Sequence, residues 1–374
     1  MTQLINLLPW MPGHSGFSSY VQRVVPDLDG WRLQLGANGE PTLLTPQHWQ
    51  AMSQGQATSQ GQASAGLPRL LQTLGLGQHG FSIKTLLARH GLGLNDLDCV
   101  YSPFFDALLA LPQQIPQVIT CHDLTPLLLP NSRKAWLRYR FWQPLHLRKA
   151  HRVIAISRRV ADHLLAFGVD GRKLAVIPNG IETCGPRVTA PASDDLIVLA
   201  RHDGNKNLLT LMRALAGVQR QLPQWKGTVR IVGRDGRQTA ALRRLHKALP
   251  RPRQVQLICS LGSAELRQAM RQSLALVSAS AEEGFDYPVL EAKAEGLPTL
   301  LSDIAVHREF HHDSSLFFPV DDDGTVLAAH LKSLLQDGDL WQHLSQRGYA
   351  LAQQMSVGRQ IAQIHDLIEA SSRS

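Results

Sequence analysis

Two carboxylates eight positions apart, Glu283 and Glu291, stand in the stretch Ser278 to Ser302, SASAEEGFDYPVLEAKAEGLPTLLS. Pro288 sits where a helix can begin, because its missing N–H is not needed in a first turn. A loop carrying Glu282, Glu283 and Gly284 thus leads into a helix N-terminus, a junction that aims backbone N–H groups at one point. An anion or a sugar hydroxyl fits there, and carboxylates accept bidentate hydrogen bonds from vicinal hydroxyls. The same spacing also suits a solvated acidic pair that complements the helix dipole. Arg201 and Lys206 flank Gly204 just after an apolar run. An Arg fork and a Lys point charge at a strand end can neutralise a diphosphate; two plain surface cations are the alternative. His122 follows the apolar run Gln117 to Cys121, where an imidazole can touch a sugar, meet an acceptor hydroxyl or cap a loop.

Such groups need strands to carry them. Short apolar runs alternate with longer helical patterns, the rhythm of parallel-sheet α/β domains. Strands are expected at Leu4 to Leu8, Cys99 to Tyr101, Gln117 to Cys121, Arg152 to Ile156 and Leu174 to Ile177. A second series is expected at Leu196 to Ala200, Val229 to Val232, Val255 to Ile258, Leu274 to Ser278 and Thr299 to Ser302. Between them, Arg158 to Phe167 places Val160, Ala161, Leu164 and Leu165 on one helical face, with Gly168 as a stop signal. The Pro-, Ser- and Thr-bearing segment 183–195 has few apolar anchors and reads as a linker. It separates a domain at 1–182 from one at 196–355, and 356–374 reads as a C-terminal helix that can cross back to the first domain. The repetitive segment Ser53 to Gly66 has nothing to bury and reads as a mobile loop.

Glu283-Gly284-Phe285-Asp286-Tyr287-Pro288-Val289-Leu290-Glu291-Ala292, followed by Gly296-Leu297-Pro298 and Ser302, resembles the EGFG-x-P-x-LEA-x-A-x-G-x-P signature of retaining family 4 glycosyltransferases, which have the GT-B fold. Asp286 stands where that signature most often has Gly, Lys293 where Met is common, and Glu295 where Cys or a small residue is usual. Asp286 bears on how the loop amides approach the sugar; Lys293 and Glu295 read as helix-surface changes. Arg201 to Leu208 resembles the family's GR-L-x-x-x-KG/KN segment, and Val153 to Ser157 with Ile177 to Ile181 resemble its AVS and P-NG-I landmarks. Ile231-Val232-Gly233 and Ser260-Leu261-Gly262 match strand ends where the base is usually held. Gly13 to Tyr20 stands where the family has a glycine-rich loop, and His122-Asp123 matches its HD. No G-x-G-x-x-G is formed, which argues against a Rossmann dinucleotide site.

The resemblance implies two Rossmann-like domains facing across a cleft, the first for an acceptor and the second for a sugar nucleotide. It implies transfer of a mannose- or glucose-type hexose from a GDP- or UDP-sugar, with retention of configuration, no obligatory metal and no further cofactor. Arg201 and Lys206 would stabilise the leaving diphosphate, and Glu291 would hold the ribose. Glu283 and the amides of Gly284, Phe285, Asp286 and Tyr287 would orient the sugar, with Gly16 in the glycine-rich loop and His122 on the acceptor side. A non-hydrolysing sugar-nucleotide epimerase shares this fold, and a non-catalytic sugar-nucleotide or lipid-binding protein is the other rival.

The 374 residues favour two domains, and 44% apolar with 18% charged residues exclude a wholly disordered or fibrous chain. A net charge of +8 suits anionic partners. Cys99, Cys121, Cys184 and Cys259 lie far apart without a C-x-x-C pair, which fits a reducing cytoplasm. The run Leu4 to Leu8 is too short for a signal-peptide core, and no run approaches the ~18 apolar residues of a membrane span, so any membrane role is peripheral, at the inner face. Between Arg133 and Arg159 nine Lys and Arg residues occur without one Asp or Glu, interleaved with Trp136, Tyr139, Phe141 and Trp142. Anionic lipid or a lipid-linked acceptor fits this composition ahead of a plain basic face, with nucleic acid last. Asp321-Asp322-Asp323 precedes Gly324 and an amphipathic run, so a helix cap is expected there rather than a metal site. His311 and His312 near Glu309 lack a spaced third ligand and are expected to face solvent.

Overall fold

The computed structural model describes residues 2–8, 10, 16–36, 40–56, 83–104, 114–129, 133–183 and 185–372. By contact the chain divides into two compact units, Met1–Asn179 with Val357–Ser374, and Gly180–Ser356.

In the first unit the described residues form β1 (Gln3–Asn6), β2 (Trp31–Leu35), β3 (Pro41–Leu44), β4 (Cys99–Ser102), β5 (Gln117–Cys121), β6 (Arg152–Ala155) and β7 (Leu174–Val176), in the order β3-β2-β1-β4-β5-β6-β7. β2 and β3 pair antiparallel and the other neighbours pair parallel. Every residue of β1, β4 and β5 is buried, as a parallel sheet covered on both faces requires. Neighbours on β1 serve opposite faces. Ile5 packs with Tyr20, Val24, Tyr101, Val118, Ile364 and Ile368, so the helices Gly16–Val24 and Val357–Ser372 cover that side. Leu4 packs with Leu33, Leu87 and Val100 on the other. The helix Arg158–Ala166 is capped by Ser157, whose Oγ accepts from the Val160 amide at 3.1 Å. It buries Val160, Ala161 and Leu164 but leaves Leu165 exposed, a correction to the expected face. It stops before Gly168, whose φ of +88° favours glycine.

β2 and β3 are absent from the sequence reading, and in β2 Arg32 and Gln34 break the apolar signal. The fold buries both. Arg32 donates to the backbone carbonyls of Val25, Leu28 and Gly30, and Gln34 accepts from the Trp49 indole at 2.9 Å. A buried cation is tolerated when several carbonyls receive its donors.

In the second unit the described strands are β8 (Leu196–Leu199), β9 (Val229–Val232), β10 (Val255–Ile258), β11 (Ala275–Ser278), β12 (Thr299–Ser302) and β13 (Leu316–Phe318), all parallel, in the order β10-β9-β8-β11-β12-β13. The chain winds outward from β8 to β10, then restarts at β11 and winds the other way. β8 and β11 therefore flank the topological switch point, where open α/β sheets bind ligands beyond their carboxyl ends.

The segment 183–195, read as a linker, belongs to the second unit. Its Val188 amide bonds the Glu295 carbonyl at 2.8 Å, Arg187 donates to Ser345 Oγ at 3.1 Å, and Ser193 donates to the Gln272 carbonyl at 2.7 Å. Of the repetitive segment, Ser53 to Gln56 end the helix Pro46–Gln56, and residues 57–66 lie outside the described residues.

Candidate functional site

The switch point sets which side chains meet. After β8 a single turn, Gly204–Lys206, ends at Asn207 with φ +51°, and Asn207 Nδ2 anchors it by donating to the Val320 carbonyl at 2.9 Å. After β11 the chain runs through Ser280 to Asp286 into the motif helix, Tyr287–Ala294, with Pro288 in its first turn. The Ala281 amide donates to the Asn205 carbonyl at 2.8 Å and ties the two loops together.

Lys206 projects between two carboxylates. Its Nζ lies 2.8 Å from Glu283 Oε1 and 3.0 Å from Asp286 Oδ1, with side-chain exposures of 18%, 13% and 2% for the three residues. Asn205 Nδ2 donates to Glu283 Oε1 at 3.2 Å. On the far side of Asp286, Oδ2 accepts from Ser278 Oγ at 2.6 Å and from His307 Nε2 at 3.1 Å. Burial works against all three charges. It is outweighed at Asp286, where Lys206, His307 and Ser278 hold the carboxyl below the usual range, and at Lys206, where both carboxylates hold the ammonium above it. Glu283 goes the other way, because burial and the Asp286 charge raise it against the pull of Lys206. Asp286 is thus the committed anion and Glu283 the carboxylate whose charge is least secured.

Gly284 and Phe285 are buried beside this cluster, and Phe285 packs on Tyr287 and Phe310 with ring centroids 5.3 and 5.1 Å apart. Glu291 lies half-buried in the second turn of the motif helix. Arg201 stands apart: its side chain is 66% exposed and its guanidinium pairs with Asp203 at 3.1 Å. Lys206, Glu283, Gly284, Phe285, Asp286 and Tyr287 are therefore gathered around one point, while the Arg201 side chain turns to its own loop. The glycine of the neighbouring strand end has a steric reason: a Cβ on Gly233 would lie 1.9 Å from the Ala200 carbonyl oxygen.

In the first unit, His122 follows β5 and faces Phe17, Tyr20 and Phe104, with ring centroids 5.6, 4.6 and 6.4 Å away. Its Nε2 donates to the Pro103 carbonyl at 2.8 Å, which leaves Nδ1 as the accepting nitrogen. Burial pushes its pKa down to about 4, against that bond. Beneath it Tyr101 Oη lies 2.6 Å from Tyr20 Oη and 2.9 Å from Thr120 Oγ1, a buried hydroxyl cluster that backs the ring. Gly16 opens the helix Gly16–Val24; Gly13 to Ser15 lie outside the described residues, as does Cys184.

Three expectations are overturned. Lys293 is fully buried rather than on a helix surface: its ammonium donates to Ser314 O at 3.0 Å, Ser314 Oγ at 2.5 Å and Ser315 Oγ at 2.9 Å. Glu295 is buried too, clasped by Arg267 and Arg271 at 2.5 and 2.8 Å. On the motif helix Val289, Leu290, Ala292, Lys293 and Ala294 are buried, with Tyr287, Pro288 and Glu291 half-buried, so Lys293 lies on an enclosed face rather than a surface one. His311 is buried, whereas His312 is exposed and pairs with Asp313 at 3.1 Å. Asp322 spends its carboxylate on the amides of Val326 and Leu327, each at 3.1 Å, and Asp323 on that of Thr325 at 3.0 Å. Asn205, Ser278 and His307 were missed by sequence reasoning. The signal for them was Asp286 itself, because a carboxylate where glycine is usual, in a buried loop, must find donors.

Two parallel-sheet α/β units with paired carboxylates and a lysine at a switch point are the frame of a GT-B sugar transferase. Residues 36–184 match the family described as Glycosyltransferase Family 4, and residues 189–351 match Glycosyl transferases group 1. The chain belongs to glycosyltransferase family 4. It is 24% identical over 210 residues to the O-antigen chain mannosyltransferase RfbU of Salmonella typhimurium, covering 55% of this chain and 58% of that one. It is 33% identical over 163 residues to the GDP-mannose:cellobiosyl-diphosphopolyprenol alpha-mannosyltransferase of Xanthomonas oryzae, covering 41% and 40%. The matched region thus spans about half the length of these relatives. Among solved structures, the sucrose-phosphate synthase of Thermosynechococcus elongatus superposes with a TM-score of 0.72 at 19% identity, covering 99% of this chain and 98% of that one. Anabaena HepE in complex with UDP-glucose gives 0.70 at 16%, covering 99% and 100%. At these identities the likeness is one of fold.

Proposed function

We propose that this chain is a retaining, metal-independent hexosyltransferase that moves a mannose- or glucose-type sugar from a GDP- or UDP-hexose to a glycan, lipid-linked or small-molecule acceptor. The observation that carries the reading is Lys206, held between Glu283 and Asp286 beyond β8 and β11. A fixed ammonium there opposes the charge that grows on a leaving diphosphate, the role a metal fills elsewhere. Arg201 adds its fork when its exposed guanidinium exchanges Asp203 for phosphate. Glu291 takes the ribose hydroxyls, and Glu283 with the amides from Gly284 to Tyr287 positions the hexose. His122 supplies its Nδ1 lone pair to a hydroxyl. The bond from the anomeric carbon to the diphosphate oxygen breaks as the acceptor oxygen joins the same face, and the departing phosphate takes the acceptor's proton. The names of the mannosyltransferase relatives favour mannose from GDP-mannose and an acceptor on a polyprenol diphosphate. Acceptor-dependent release of GDP or UDP, undiminished by EDTA, with the anomeric configuration of the product read by proton NMR, tests the reading. A strict, reversible need for Mg²⁺ or Mn²⁺ counts against the Lys206 assignment, and acceptor-independent conversion of the donor turns it toward an epimerase.

An anionic membrane surface at the cytoplasmic face completes the proposal. Across Arg133–Leu137, Arg138–Trp142 and Gln143–Lys149, Tyr139, Gln143, His146 and Leu147 are buried. Trp136, Leu137, Phe141 and Leu145 are exposed, Phe141 by 60%, amid Arg133, Arg140 and Arg148. Apolar side chains ringed by cations suit an interface that holds a lipid-linked acceptor. Among the described residues no helix is long and apolar enough to cross a membrane. Sedimentation with anionic vesicles at low salt, released by added salt, is expected; binding to neutral vesicles alone sinks this part.

A further inference from the structure

We infer that His307 is a positioning residue of the donor site: carrying a hydrogen on each ring nitrogen, it cancels the charge of Asp286 and so leaves Lys206 available to a diphosphate. This rests on the proposed role of Lys206 and extends it to a side chain that the sequence motifs do not include. His307 is fully buried in the helix Ala305–His311. Its Nδ1 lies 2.8 Å from the Ser302 carbonyl oxygen, which can only accept. The Ser302 hydroxyl, 3.3 Å from the same nitrogen, donates to the Ser280 carbonyl at 2.6 Å, so it too faces Nδ1 as an acceptor. Its Nε2 lies 3.1 Å from Asp286 Oδ2, an oxygen already receiving Ser278 Oγ. Both ring nitrogens therefore point at acceptors, and both must donate.

Charge balance gives the arrangement its meaning. Asp286, the committed anion, takes up the charge of Lys206, so this pair sums to zero and offers an incoming diphosphate little, while Glu283 is the less secured carboxylate. With the His307 imidazolium, Lys206, Asp286 and His307 sum to one positive charge. Nearby ionisable groups leave that sum intact: Asp303 is neutralised by Arg308 at 2.7 Å, and His311, 6.4 Å from His307 between ring centroids, is kept uncharged by burial. The buried Lys293, which also acts on His311, has its ammonium pushed down by burial and held by serines. Asp286 and His307 thus work as a pair: the carboxylate steadies Lys206, and the imidazolium removes the penalty of having it there.

The test is a cycle of His307→Gln, Asp286→Asn and the double variant, titrated with GDP and with UDP. His307→Gln keeps a side-chain N–H for Asp286 but cannot carry charge, and nucleotide affinity should fall roughly tenfold. The double variant removes both charges and should recover most of that loss; a purely structural role for His307 makes the two losses add instead. Nitrogen-15 NMR of the ligand-free protein near neutral pH reads the ring directly. Two protonated nitrogens at His307 are expected, and one bare nitrogen overturns the inference. If the wild type binds neither nucleotide while the NMR shows the imidazolium, the donor-site reading fails and the charge pair stands. If it binds but the double variant is no better than His307→Gln, the inference fails and the donor site stands.

Discussion

Beyond β8 and β11 a lysine, two carboxylates and a histidine share buried space, whereas beyond β5 a single histidine is wrapped by Phe17, Tyr20 and Phe104 and bonded to a backbone carbonyl. Both regions sit at the carboxyl ends of parallel strands, and both hold their key side chains rigid. One does so by balancing charges and the other by excluding them. The difference fits the roles proposed for the two sites. A diphosphate needs fixed positive charge, and fixed charge in a buried loop needs counter-charges to keep it folded. A sugar hydroxyl needs only a neutral donor or acceptor, which burial of an imidazole secures.

Lys206→Ala tests the charged region hardest. It strands Glu283 and Asp286 without their cation, and loss of one partner of a buried set costs about 3 to 5 kcal/mol. The denaturant midpoint should drop accordingly and transfer should vanish. Adding Asp286→Gly should restore much of the stability but none of the activity. Unchanged stability in Lys206→Ala would mean that unit does not depend on its charge balance.

The neutral region should reveal itself through acid. Burial holds His122 at about 4, and holds His146, which also feels Lys149, at about 4. An unfolded imidazole titrates near pH 6.5, so below that value the unfolded chain takes up protons that the folded one refuses. Stability is full above about pH 6.5 and falls as pH approaches 4, by about 3 kcal/mol at most for each such histidine. His122→Phe should flatten this decline by one proton in denaturant titrations at a series of pH values. An undiminished slope would place the charge exclusion elsewhere.

Within the charged region the two glutamates should separate. Glu291→Ala should weaken free nucleoside diphosphate by roughly 1.5 to 3 kcal/mol by calorimetry. Glu283→Ala should leave that affinity nearly intact, since it also releases Lys206 from one carboxylate, while lowering kcat/KM for transfer. Equal weakening of nucleotide by both variants removes the distinction between sugar and ribose contacts.

Lys293 gives the smallest effect and a second view of charge burial. Its ammonium is pushed well below the usual range by burial, and serine oxygens rather than a carboxylate receive it. The unfolded lysine takes up its proton as pH falls below about 10.4, so wild-type stability should decline as pH falls from there, by no more than about 1.4 kcal/mol per unit. Lys293→Met should lack that slope in melting measured at pH 10 and 9.

The parallel sheets were legible because apolar runs act locally, and motif spacing singled out Lys206, Glu283 and Asp286 without showing that they pair. Arg32 in β2, Lys293 and Glu295 were misread for one reason. Sequence patterns treat charged side chains as surface, and whether three carbonyls, three serine oxygens or two guanidinium groups lie within reach depends on distant parts of the chain. His307 escaped for the same reason, since its partner Asp286 is 21 positions away and its need for a donor is visible only once the loop is seen to be buried.

The helix Val357–Ser372 bears on how the chain is made. Ile364 and Ile368 complete the core around Ile5, Tyr101 and Val118, yet the ribosome delivers them only after all of Gly180–Ser356. At about 5 to 20 residues per second the first unit waits on the order of 10 to 40 s for its last pieces. During that interval Ile5, Tyr101 and Val118 lack the side chains that pack on them in the finished fold.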